Sequence, residues 1–400
     1  MPNRRQRQSV PDSSSRLLDR RLVLGAGLGG LVAAIWPSLT PATVASPARA
    51  QAPAIDAAAA FAIDIDAGTE LFALNPDQRL PTGSTVKLAT ALVVVAHAGL
   101  EETVVIDASD QVDITIYSHM GLFAGDTVSV QQLLYGLLLP SGSDAARALA
   151  RHVGAKLAGD DVTAEPARAA FFTAMNELAA SVGARNSQFV NASGDDDPNQ
   201  YSSARDLAIL AAVLLANPTL AEIVRTPAWE SVSLGPEQRP FLLNNVNILL
   251  TEDPAVIGVK TGSTPDAGTC LVAARRIGEG NRVVTVVLGC RGRYEAGVLV
   301  EDGRWEATRS LVAAMTTEYS WISLAAPESL PGLSEELAVW QATVDPAIAQ
   351  PVPAAAVSGL RYRLVLGPEA APGAEVGRVM LYSGPEVIGE RPVFQAGGPL

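Results

Sequence analysis

Ser84 and Lys87 stand three residues apart, and far downstream Lys260 opens the tripeptide Lys260-Thr261-Gly262. A serine hydroxyl is a weak nucleophile until a base removes its proton. A lysine can be that base once it is neutral, and lowering its pKa by about 3 from about 10.4 costs roughly 4 kcal/mol. Desolvation and a second ammonium nearby are the usual means, and Lys260 is the candidate for that second charge. Composition sharpens the reading. The 400-residue chain holds three lysines, Lys87, Lys156 and Lys260, and its other permanently basic side chains are arginines. Arginine keeps its proton in proteins, whereas a buried lysine can lose it. Between the two motifs lies Ser141-Gly142-Ser143-Asp144. A Ser-x-x-Lys, a Ser-x-Asn-like tripeptide and a Lys-Thr-Gly, in that order, make a nucleophile, base and anchor set.

The surrounding pattern shows what must position these groups. Pro81-Thr82-Gly83 reads as a turn that opens an apolar helix over Val86–Ala98, so Ser84 and Lys87 share a helix face at the positive end of its dipole. Helices are expected over Val128–Leu139, from Asp144 to Val153, over Pro166–Val182 and over Ser203–Ala216. Asp144 is expected to cap the second of these. Ser141, in the break after Pro140, can project into a cleft. Strands are expected at Ala58–Ile65, Glu70–Leu74, Trp229–Leu234, Ile257–Ser263, Thr269–Arg276 and Arg282–Leu288, with a helix over Arg304–Tyr319. Lys260, Thr261 and Gly262 then sit at a strand end, where an extended peptide could pair by its backbone. Thr261 and the Lys260 ammonium suit a carboxylate terminus, and Gly262 is expected to let substrate near. Strands flanking a helical middle imply an α+β fold with a mostly antiparallel sheet and a helical subdomain.

From about Trp321 proline, alanine and glycine rise. Short alternating stretches at Leu337–Trp340, Tyr362–Leu366, Val376–Tyr382 and Val387–Phe394 predict a small C-terminal β-sandwich domain. The expected organisation is an export signal at 1–50, a catalytic domain at 51–320, a β domain at 321–394 and a tail at 395–400. In the signal, arginines precede the apolar run Leu22–Ile35, and Ala48-Arg49-Ala50 offers a cleavage site. The Arg20-Arg21 pair fits a twin-arginine signal and an ordinary secretory one equally, and an uncleaved anchor is the minor alternative. Gly25-Ala26-Gly27-Leu28-Gly29-Gly30 has dinucleotide-site spacing but lacks the preceding strand and the acidic residue that such a site needs.

Net charge is −13 with no basic block after residue 21, so nucleic acid is not an expected partner. His97, His119, His152, Cys270 and Cys290 have no metal-ligand spacing, and neither metal nor cofactor is expected. The cysteines fall symmetrically about Gly280 on two expected strands, and free, buried thiols are expected there. Residues 391–400 contain two prolines and two glycines and cannot form an amphipathic helix, so no C-terminal membrane anchor is expected.

Taken together, Pro81-Thr82-Gly83-Ser84-Thr85-Val86-Lys87, the run Leu133–Leu139 before Ser141, Met175-Asn176, Phe189-x-Asn191, Asn245-x-Asn247, Lys260-Thr261-Gly262 and Ala267-Gly268 resemble the serine D-Ala-D-Ala carboxypeptidases, the low-molecular-mass penicillin-binding proteins. The resemblance covers roughly residues 57–318. It implies a β-lactamase/DD-peptidase-like fold and removal of the terminal D-alanine from peptidoglycan pentapeptide through an acyl-enzyme, with β-lactams as covalent inhibitors. By it Ser84 is the nucleophile, Lys87 the base and Ser141 the proton relay. Ser143, Lys260, Thr261, Gly262 and Ser263 bind substrate, and the N–H groups of Ser84 and Ser263 form the oxyanion hole. Arg304 is the implied holder of the terminal carboxylate, with Arg293 as runner-up. An exported, extracytoplasmic protein is implied. The family usually has asparagine where Ser143 stands. Restoring it by Ser143→Asn is expected to leave activity intact or raise it.

Two other readings compete. A class A β-lactamase shares the motifs but needs a deacylating glutamate about 35 residues past Ser141. Glu177 is near that place but is followed by Leu178-Ala179-Ala180-Ser181 instead of Glu-x-x-Leu-Asn. A non-catalytic wall-binding protein is supported by Ser143 alone.

Overall fold

A computed structural model describes residues 55–159, 162–295 and 298–397. The expected export signal and the Gly25–Gly30 run lie outside the described residues. The chain begins with β1 (Ala59–Asp64), β2 (Thr69–Leu74) and α1 (Lys87–His97). The middle holds β3 (Thr103–Val105), β4 (Thr127–Ser129), α2 (Val130–Leu138), α3 (Ser143–Ala158), α4 (Ala164–Ser181), α5 (Ala204–Ala216), α6 (Pro218–Arg225), β5 (Ala228–Val232), β6 (Pro240–Asn244) and α7 (Leu249–Glu252). Then come β7 (Val256–Thr264), β8 (Gly268–Ile277), β9 (Asn281–Cys290), β10 (Gly292–Glu295), β11 (Val298–Asp302) and α8 (Arg304–Glu318).

Every residue of β1 is buried. A strand is buried throughout only with neighbours on both edges and layers on both faces. β1 has both, because the main sheet runs β2-β1-β9-β8-β7, with the pairings β1–β2, β1–β9, β9–β8 and β8–β7 all antiparallel. The first strands of the chain therefore pair with strands from its third quarter, and the helical middle is looped out between them. One face of the sheet packs against α8 through Ala307, Leu311 and Met315, which meet Ala60, Ala62, Leu271 and Val287 in one apolar cluster. β7 is an edge strand that pairs with β8 alone among the described strands.

Helix boundaries follow their caps. Ser203, expected as the first helical residue, is instead the N-cap of α5 and accepts from Asp206 N. Val128 and Ser129 belong to β4 instead of the expected helix. Ser129 and Gln132 form a reciprocal capping box that starts α2 at Val130. No single described helix is long and apolar enough to cross a membrane.

Beyond α8 follow β12 (Tyr319–Ile322), α9 (Leu333–Val339), β13 (Ala342–Thr343), β14 (Gln350–Pro353), β15 (Leu360–Leu366), β16 (Glu375–Ser383) and β17 (Glu386–Gln395). A four-stranded sheet, β13-β17-β16-β15, and a β12–β14 ribbon enclose a second apolar cluster. The strand expected at Leu337–Trp340 is instead the end of α9, whose Leu333 and Leu337 are buried in that cluster. Four alternating residues fit a strand and one turn of helix equally well. Buried polar contacts tie this region to the main sheet. Trp321 Nε1 and Asn281 Nδ2 both donate to Asp64 Oδ2, at 2.8 and 2.7 Å. Gln350 Nε2 donates to Thr69 Oγ1, and Arg391 Nη1 to the Asp66 carbonyl.

Cys270 and Cys290 are free and buried. They miss direct cross-strand pairing by one position, because the β8–β9 ladder shifts between Thr269 and Leu271 and sets Thr269 opposite Cys290. Burial pushes the Cys270 thiol up to about 11 and the Cys290 thiol higher still. Such thiols are protonated and shielded. Iodoacetamide is expected to leave both unmodified in the native protein and to alkylate both after denaturation without reductant. Failure to alkylate denatured protein until it is reduced would reveal a disulfide.

Candidate active site

Ser84 lies in a short 3₁₀ turn, Gly83–Val86, that runs into α1. The three-residue spacing brings Lys87 Nζ to 2.8 Å from Ser84 Oγ. Lys87 is fully buried, and burial lowers its pKa to about 7 against the opposing pull of Asp195 and Asp144. The expected contribution from Lys260 runs the other way. Burial dominates at Lys87, whereas Lys260 is pushed well below its ordinary value by burial first, then by Lys87 and Arg304.

Two further atoms meet the Lys87 amine. The Ser193 carbonyl lies at 2.6 Å and Ser143 Oγ at 3.4 Å. Ser193 was not singled out from the sequence, since a backbone carbonyl carries no residue identity. The nearby Phe189-x-Asn191 motif was the available signal. Asn191 Oδ1 accepts from the backbone N–H groups of Ser193, Gly194 and Asp195 and from Gln200 Nε2. It thereby fixes the turn that aims the Ser193 carbonyl.

Three glycines let backbone segments close around Ser84. A β-carbon built on Gly194, where φ is +94°, would stand 2.2 Å from the Gly83 carbonyl oxygen and 2.7 Å from Ser84 N. One on Gly83 would stand 2.8 Å from Ser263 N, and one on Gly262 would stand 2.4 Å from the Thr82 carbonyl oxygen. The sequence-based reason for Gly262, approach of substrate, therefore needs correcting: its bare side faces the nucleophile's own turn. The same contacts set the amides of Ser84 and Ser263 beside one turn.

Ser141 is buried, has φ of +66°, and its hydroxyl has no hydrogen-bond partner. Ser143 opens α3 and donates its backbone N–H to the Ser118 carbonyl. Asp144 lies inside the first turn of α3, whose N-cap is Gly142 with no side-chain cap, so the expected cap is not formed. Its buried carboxylate accepts from the backbone of Met120, Gly121 and Leu122 as well as from Ala145, and so fastens the 118–122 loop over Ser143.

Lys260 Nζ lies 3.0 Å from the Thr261 carbonyl and 3.5 Å from Thr261 Oγ1. Both residues are buried, and Ser263 is partly exposed on the same edge strand. Arg304 stands behind that strand. Its Nη1 donates to the carbonyls of Gly262 and Cys270, and its Nε pairs with Asp302 at 2.7 Å. Arg293 is exposed and paired with Glu295 and Glu301. Glu177 is exposed on α4. The described residues contain no group of acidic, histidine or cysteine side chains able to hold a metal. An open groove of about 810 Å³ at Arg275, Arg276, Tyr319 and Trp321 shares no lining residue with this site.

Residues 46–292 match the family described as D-alanyl-D-alanine carboxypeptidase. The chain is 37% identical over 267 residues to the D-alanyl-D-alanine carboxypeptidase of Streptomyces sp. strain K15, covering 65% of this chain and 88% of that protein. It is 34% identical over 229 residues to DacB2 of Mycobacterium tuberculosis, covering 56% and 72%. The crystal structure of the Streptomyces K15 DD-transpeptidase superposes with a TM-score of 0.59 at 34% identity, over 66% of this chain and 98% of that one. DacD from Francisella tularensis, at 23% identity, shares the fold over 89% of this chain with a TM-score of 0.63.

Proposed function

The chain belongs to the D-alanyl-D-alanine carboxypeptidase family, and on that premise we propose that Ser84 attacks the carbonyl of the penultimate D-alanine with Lys87 as its base. The enzyme is a serine hydrolase of the bacterial cell wall that acts through an acyl-enzyme. The observation that carries the division of labour is a fully buried lysine, held near pKa 7, 2.8 Å from a serine hydroxyl at a helix start. At neutral pH about half of such a lysine is free to accept the Ser84 proton. The Ser84 and Ser263 amides flank the same turn and suit the oxyanion of the tetrahedral intermediate.

The peptide lies along β7 in this reading, pairing with the edge that carries Lys260, Thr261, Gly262 and Ser263. Its terminal carboxylate meets Thr261 and Lys260, and an arriving anion favours the ammonium form of Lys260. Arg304 adds positive charge behind Gly262. Since its Nε and Nη1 already serve Asp302 and two backbone carbonyls, it supports the strand as well as the field. The leaving amine takes its proton through the Ser141–Ser143 turn, and the motif order gives that step to Ser141. Residues 51–320 form the peptidase domain and 321–394 a β domain. Residues 1–50 direct export, and the substrate is the wall stem peptide ending in D-Ala-D-Ala. β-Lactams acylate the same serine.

Incubation with a muramyl pentapeptide is expected to release free D-alanine. A fluorescent penicillin is expected to label the tryptic peptide carrying Ser84. Label on any other serine, or no D-alanine from an efficiently labelled enzyme, would overturn the reading.

A further inference from the structure

The open groove at Arg275, Thr316, Tyr319 and Trp321 lies at the far end of β7 and β8 from Ser84. Thr269 of β8 pairs with Ser263 beside the active site, and Arg275 pairs with Val256 at the other end. Six residues at about 3.3 Å each set the two places roughly 20 Å apart. A ligand in the groove therefore leaves Lys260, Thr261 and Ser263 free for a peptide. The walls of the groove carry their own recognition chemistry. Tyr319 and Trp321 are two residues apart on β12, so their rings stand on one face, about 6.7 Å apart along the strand. Both pack against the main apolar cluster and are half-buried. The Trp321 indole is fixed, because its Nε1 donates to Asp64 Oδ2 at 2.8 Å. Arg275 supplies the charge. Its Nε donates to Asp253 Oδ2 at 3.0 Å, and its Nη groups have no partner among the described residues. A guanidinium oriented through Nε has its Nη hydrogens left for a second anion. Arg276, exposed and without an ion-pair partner among the described residues, also lines the groove.

We propose that this groove holds a strand of acidic wall glycan, separately from the stem peptide being cleaved. The apolar C–H faces of the sugars stack on the two fixed rings, and a carboxylate on the chain meets the Arg275 guanidinium. An enclosed pocket takes a small molecule whole, whereas an open groove lets a polymer pass through. The bound strand tethers the enzyme to the wall while the peptide edge stays available. The proposal rests on the family's place in the cell wall and not on the roles of Ser84 and Lys87, so either can fail without the other.

Two probes titrated into the protein test this: wall glycan chains stripped of stem peptides, so that their lactyl carboxylates are free, and neutral chitin oligomers of the same length. The acidic chains are expected to bind about tenfold tighter or more, with the preference shrinking as salt rises. Arg275→Gln is expected to weaken their binding by about tenfold. Thr316→Glu puts a negative charge at an exposed helix position that lines the groove, breaks no ion pair, and is expected to weaken binding similarly. Both variants should release D-alanine from a soluble muramyl pentapeptide as the parent does. No binding, equal affinity for acidic and neutral chains, or unchanged affinity in Thr316→Glu would overturn the proposal. So would a free stem peptide that displaces the glycan from the groove. Glycan binding that behaves as expected in a protein that releases no D-alanine would support the groove and overturn the reading of Ser84 and Lys87 alone.

Discussion

Ser84→Ala is expected to abolish penicillin acylation and D-alanine release, and Lys87→Arg to come close behind it. The first removes the attacking oxygen. The second keeps the positive charge but removes the ability to accept a proton, since an arginine stays protonated. Loss of a general base costs about 10²–10⁴-fold, and here the larger figure applies, because a permanent guanidinium is also too bulky for a fully buried site. Substantial turnover in Lys87→Arg would show that another group is the base. The pH profile offers a second check. Burial places Lys87 near 7, so acylation should rise about tenfold per pH unit below 7 and level off above it. The sign for stability follows from the same shift. The folded value lies below the unfolded one, so unfolding takes up a proton between about 7 and 10.5, and the Lys87 contribution becomes less favourable as pH falls through that window.

Gly194→Ala should injure the enzyme nearly as much without touching any reacting side chain. The position has φ of +94°, and its new methyl would press on the Gly83 carbonyl and Ser84 N. Strain of this kind costs roughly 1–3 kcal/mol before the clash is relieved. Relief means moving either the Ser84 turn or the Ser193 carbonyl that aims Lys87. A fall in Tm together with a loss of penicillin acylation of at least about tenfold is expected, given how steeply rate depends on placement. Unchanged acylation would mean that the 191–195 turn has no hold on Ser84.

The candidate site was legible where its chemistry depends on side-chain identity at short range. Ser84 and Lys87 meet because they are one helical turn apart, and Lys260 could be placed at a strand end because the β-branched Ile257 and Val259 precede it. The main sheet was legible in its strands, though its order was not, since β1 and β9 meet across most of the chain. Other features were hidden. Ser193 contributes a carbonyl, which every residue has. Asp144 looked like a cap because the Met120–Leu122 backbone it binds comes from a distant loop. Gly262 announced a close approach without saying of what. β6 went unread beside β5 because Pro240 opens it, and a proline argues against a strand except at such an edge or end. At Leu337–Trp340 tertiary packing decided between helix and strand, which four residues of pattern cannot do.

The sheet order also sets a schedule for synthesis. Asp64, at the end of β1, and Asn281, at the start of β9, are hydrogen-bonded partners 217 residues apart. A ribosome adding about 5–20 residues per second needs on the order of 10–40 seconds to cover that distance. Throughout it the Ala59–Asp64 strand, apolar along nearly its whole length, has been made and its β9 edge has no companion. For most of that interval neither Lys260 nor β7, the strand that backs the Ser84 turn, yet exists. A nascent chain of this design has to be kept from pairing with its neighbours until it is three-quarters complete, so its yield should depend on chaperones that hold the unfinished chain more than on the stability of the finished enzyme.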